Sequence, residues 1–153
     1  MINLHVSKLY KSIVLKEKIV TAVITTFEYQ QIIPEDVELS IVIEDDEKLK
    51  ELNQRYLGID AVTDVLSFSL NEKDPENDRL YLGDIIISFP RAQEQSDLAG
   101  HTVMDELSLL TVHGVLHLLG YDHIEPGDKT NMWNAQSKIL ESMHVVIKKL
   151  PED

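Results

Sequence analysis

The chain predicts an α+β fold, a mixed sheet of about four strands packed with helices, and three observations lead there. Short apolar runs with the two-residue alternation of strands are interleaved with longer runs at helical spacing. No segment repeats and no low-complexity stretch interrupts that order. The 153 residues, 43% of them hydrophobic, are enough for one well-packed core and too few for two domains of ordinary size. Residues 1–153 are therefore expected to form a single domain.

Each element has its own local reason. Residues 2–6 read as a short strand. Residues 13–31 carry Val20, Val23, Ile24 and Phe27 on one helical face and must stop before Pro34, because proline cannot continue a helix. Val37, Leu39, Ile41 and Ile43 alternate as in a strand, and Asp45 or Asp46 can cap the helix that follows to about Leu57. Residues 62–70 and 82–89 read as two further strands. The polar, proline-containing stretch 71–79 between them is expected to be a mobile loop. Residues 90–98 read as a short helix, residues 103–119 as a longer apolar one, and residues 128–144 as a last amphipathic helix. Its stripe of Met132, Ala135, Ile139 and Met143 faces a core.

Composition narrows the class. With no cysteine in the chain, disulfides and thiolate metal sites are out of the question. Met1 to Val6 lack the basic start and long apolar core of a secretion signal, and no apolar run approaches the roughly eighteen residues of a membrane span. A cytoplasmic protein without a membrane partner is expected. The 14 Lys and Arg against 27 Asp and Glu give a formal net charge of −13, which argues on its own against a polyanionic partner. The acid-rich stretch from Glu35 to Glu51 reads as a solvated face.

The chemistry concentrates in His113, Gly114, Val115, Leu116, His117, Leu118, Leu119, Gly120, Tyr121, Asp122 and His123. Two histidines four apart on a helix that rises about 1.5 Å per residue sit on one face, about 6 Å apart along the axis, within reach of one ion. Gly120 can take the left-handed conformation that ends a helix and turn His123 back to the same ion. The expectation is a metal site on a helix and its return loop, with His113, His117 and His123 as ligands. Three neutral imidazoles suit zinc, one per chain, or another borderline transition metal, and leave a fourth position for water. The zinc-peptidase pattern H-E-x-x-H-x-x-G-x-x-H matches at every position but the second, where Gly114 stands in place of the catalytic Glu. A metal cage without the peptidase base results.

His113 to His123 resembles the signature of the YbeY family, bacterial single-domain metal-dependent endoribonucleases of ribosomal RNA maturation. The likeness extends to Leu52, Asn53 and Tyr56, to Thr63, Asp64, Val65, Leu66, Ser67 and Phe68, to Leu82, Gly83, Asp84, Ile85, Ile87 and Ser88, and to Gly100, His101, Glu106 and Leu107. It covers about residues 52–140 in motif and the N-terminal third in its pattern of elements. The resemblance implies a zinc-dependent, single-strand endoribonuclease in small-subunit rRNA processing and ribosome quality control. The partners it implies are rRNA, the small ribosomal subunit and the ribosome-associated GTPase Era.

Two positions depart from the family pattern: Leu57 replaces an arginine proposed as an RNA-contacting or catalytic group, and Val62 replaces a proline. Arg55, two positions before Leu57 and nearly opposite on a helix, is the candidate substrate-binding residue in its stead if that helix frays; Arg91 is a second basic candidate. The catalytic base stays open. Asp122, beside a ligand, is the candidate, with Asp84, Asp64 and Glu106 as others. Three of these have a named structural role available: a loop cap for Asp122, a turn for Asp64, a partner that fixes an imidazole tautomer for Glu106. Tyr121 reads as packing and Met132 as core. Two other functions remain open, a ribosome assembly factor with a mainly structural metal and a metallopeptidase-like hydrolase.

Overall fold

The alternation of residues 37–44 sets the layout. Strand β2, Val37–Glu44, buries every second side chain, with Leu39, Ile41 and Ile43 fully shielded, and such a strand needs neighbours on both edges. In the computed structural model, which describes residues 1–122 and 124–147, those neighbours are β1, Ile2–Val6, and β4, Leu80–Ser88, both parallel to it. Strand β3, Val65–Lys73, pairs antiparallel with β4 at the outer edge, giving a four-stranded mixed sheet in the order β1-β2-β4-β3.

Helices cover both faces of the sheet. Helix α1, Lys16–Tyr29, and helix α4, Val103–Leu118, pack on one face through Ile19, Val23, Phe27, Leu107, Leu110 and Val115. Helix α2, Asp46–Leu57, places Leu49 and Leu52 on the opposite face against Val42, Leu66, Phe68 and Ile86. Helix α3, Phe89–Ala99, leads into α4, and helix α5, Pro126–Ser142, closes α4 from outside with Met132, Ala135, Ile139 and Leu140. Between the sheet and α5, every α4 residue from Glu106 to Leu118 except His117 is buried. A helix apolar on all sides belongs at such a centre. Among the described residues, no helix is long and apolar enough to cross a membrane.

Polar side chains fix the helix starts. Asp45 accepts from the Lys48 backbone N–H at 3.1 Å, and Thr102 accepts from that of Asp105 at 3.1 Å, caps worth about 1 kcal/mol each.

Several expected boundaries move. The helix expected over 13–31 begins only at Lys16, because residues 7–14 turn back on themselves, the Tyr10 carbonyl accepting from Ile13 and Val14. The strand expected over 62–70 starts at Val65: the Asn53 side chain donates to the Ala61 carbonyl at 2.9 Å and ties the approach to α2. At its far end β3 continues through Lys73 past an irregularity between Ser69 and Glu72. The expected loop thereby shrinks to residues 74–79, a turn closed by the Asp74 N–H donating to the Arg79 carbonyl at 2.7 Å.

Candidate metal centre

Helix α4 presents His113 and His117 one turn apart, and their Nε2 atoms stand 3.0 Å apart with the rings edge to face. Two nitrogens on one tetrahedral zinc, each at about 2.0–2.1 Å, are separated by about 3.3 Å. The pair fits a single small ion with little adjustment. His113 is 2% exposed, and its Nδ1 lies 2.5 Å from Oε1 of Gln136 on α5. Because an amide oxygen only accepts, that contact puts the ring proton on Nδ1 and makes Nε2 the acceptor nitrogen.

Position 114 is tightly packed. A Cβ there would lie 2.9 Å from Cγ2 of Ile85 on β4, closer than packed carbons stand, so any larger residue would require the Ile85 side chain to shift.

Past α4 the chain turns as expected. Gly120 has φ +103°, and the N–H groups of Gly120 and Tyr121 donate back to the carbonyls of His117 and Leu116 at 3.1 and 3.0 Å. The Tyr121 hydroxyl accepts from Gln30, just past the end of α1, at 2.9 Å, which ties the return loop down as packing. An open cleft of about 440 Å³ lies in front of the histidines, walled by Leu57, by Val65 to Ser67 of β3, and by Tyr121 and Asp122. The structure thus brings His113, His117 and Asp122 to one cleft; the expected third ligand, His123, lies outside the described residues. Among the described residues no group of three or more His, Cys, Asp or Glu side chains is placed to hold a metal ion.

The remaining candidates sort by their partners. Asp122 accepts from the Ile124 N–H at 3.3 Å, and its charge is the main reason the nearby Asp128 carboxyl is raised. Asp64 accepts from the Val65 N–H at 2.8 Å and from Gln95 at 3.2 Å, as a turn residue does. Asp84 accepts from the Tyr81 hydroxyl, and burial, then that bond, push the Tyr81 phenol up to about 12. Glu106 does hold an imidazole, but it is that of His101, at 2.6 Å. The residue that meets His113 is Gln136, which sequence reasoning passed over. Its signal was there: a glutamine one turn after Met132, beside Ala135, on a buried stripe. Met132 is core.

Leu57, half exposed, stands in the cleft wall. Helix α2 stays intact through it and ends on Gly58, so fraying does not carry Arg55 to that place. Arg55 instead lies over the Tyr56 ring, its guanidinium carbon 5.6 Å from the centroid. Arg91 sits in the first turn of α3, its backbone N–H donating to the Ser88 hydroxyl at 3.1 Å.

Fold and cleft define a class, an α+β domain whose buried central helix offers a histidine pair to an open cleft. The family model described as Endoribonuclease YbeY matches residues 5–144. An Endoribonuclease YbeY of Moorella thermoacetica is 49% identical over 113 residues, covering 69% of this chain and 72% of its own. One of Staphylococcus saprophyticus is 44% identical over 117 residues, covering 74% and 76%. The solution structure of TM1509 from Thermotoga maritima superposes with a TM-score of 0.59 at 32% identity, over 92% of this chain and 87% of that one. The chain belongs to the YbeY family and is an endoribonuclease, a nuclease among the hydrolases.

Proposed function

We propose that the chain is a zinc-dependent endoribonuclease of single-stranded RNA, acting in the cytoplasm on small-subunit rRNA during ribosome maturation and quality control. The observation that carries the metal is the approach of the two Nε2 atoms to 3.0 Å, with the His113 proton held on the far side of its ring by Gln136. His113, His117 and His123 would hold the ion. When bound, such an ion supplies a water acidic enough to react near neutral pH and a positive charge beside the phosphate. Asp122 lines the same cleft and would accept a proton there. The family resemblance supports rRNA as the substrate and the small subunit and the GTPase Era as partners.

A second reading, a ribosome assembly factor with a structural metal, draws on Leu57 in the cleft wall and on the net charge of −13. One experiment separates the two. A single preparation is assayed on single-stranded RNA as purified, after chelation, and after zinc is restored, with a peptide substrate alongside. Cleavage of RNA that falls on chelation and returns with zinc, and no cleavage of peptide, is expected. RNA left intact by fully loaded protein would favour the assembly factor; chelator-sensitive peptide hydrolysis would overturn the nuclease reading.

A further inference from the structure

Gln136 is fully buried, yet only one end of its amide is used. Oε1 meets His113 Nδ1 at 2.5 Å, while Nε2, also buried, has no hydrogen-bond partner among the described residues. A buried N–H without a partner is costly. Its surroundings on α5, Met132, Ala135, Ile139 and Leu140, would accommodate an apolar side chain of similar size without that cost. A glutamine kept in such a place is there for its oxygen. Building on the metal reading above, we propose that Gln136 is a positioning residue. Its amide oxygen fixes the His113 ring with the proton on Nδ1, so that Nε2 is held toward His117 and the cleft as a lone-pair donor.

Any acceptor oxygen against Nδ1, amide or carboxylate, orients the ring in this way, because metal-bound imidazoles commonly donate their other N–H to such a group. Partners of this kind, one step removed from the ion, commonly change metal affinity 10- to 100-fold.

The test uses the full chain and zinc itself. In metal-free wild type, imidazole nitrogen NMR should show His113 protonated at Nδ1, and in Gln136→Met the proton should move to Nε2. Zinc affinity, measured by competition with a chromophoric chelator, should fall roughly 10- to 100-fold in Gln136→Met. In Gln136→Glu, which keeps an acceptor, it should stay within a few-fold of wild type. If wild type binds zinc and Gln136→Met binds it equally well, the inference fails and the metal reading stands. If wild type binds no zinc, the metal reading itself fails. Should Gln136→Met not fold, the wild-type spectrum still decides: a proton on Nε2 of His113 overturns the assignment.

Discussion

Two buried histidines frame helix α4, and they are partnered in opposite ways. His101, just before the helix, sits against the Glu106 carboxylate at 2.6 Å, with the side chains 1% and 4% exposed. Burial pushes Glu106 up from the usual carboxylate range, and His101 pulls it partly back. His113, near the other end, sits against the neutral amide of Gln136 and points its second nitrogen at His117. In His101 it is Nε2 that meets the partner, whereas His113 meets its partner through Nδ1 and keeps Nε2 turned to His117. Which ring nitrogen the partner takes, more than burial, separates the two histidines.

The largest effect that sharpens this contrast is on stability. His101→Ala leaves Glu106 buried without its partner, which costs on the order of 3 kcal/mol, so Tm should drop by roughly 10 °C in a chain of this size. Zinc binding should survive it. A His101→Ala protein of wild-type stability would mean the pair holds nothing.

Zinc should act on the other pair alone. An ion that binds only the folded state at about 100 times its Kd adds about 2.7 kcal/mol, so wild type and His101→Ala should both gain Tm on zinc addition. His117→Ala should gain little or nothing. Equal zinc shifts in all three proteins would erase the distinction.

The smallest effect concerns the cleft wall. Leu57→Arg adds a guanidinium where the apolar side chain now stands. One charge-assisted bidentate phosphate contact is worth on the order of 2 kcal/mol, some thirtyfold in RNA cleavage. The gain should shrink as salt rises, since it comes from one phosphate contact. Cleavage rates for the two proteins at low and moderate salt, with matched zinc occupancy, check it; identical rates at both would show that position 57 does not face RNA.

What the sequence made legible was whatever depends on local periodicity. The alternation in residues 37–44, the buried run of α4 and the turn at Gly120 are all visible in neighbouring residues, and the structure follows them. Long-range partners were not visible. Asn53 reaching Ala61 delays β3, and Glu106 turns to His101 and not to a histidine of the pair. Gln136 meets His113 from another helix, 23 residues on. Gly114 lies between the two cases: sequence shows a missing carboxylate, and only the structure shows that a Cβ there would crowd the Ile85 side chain.

The His113 and His117 pair, unlike the His101 and Glu106 pair, is expected to hold a metal ion. This is tested most directly by counting zinc per chain in wild type, His117→Ala and His101→Ala purified side by side and dialysed against the same weak chelator. Close to one ion per chain is expected in wild type and in His101→Ala, with most of it lost in His117→Ala. Zinc retained by His117→Ala at the wild-type level would show that the pair is not the site.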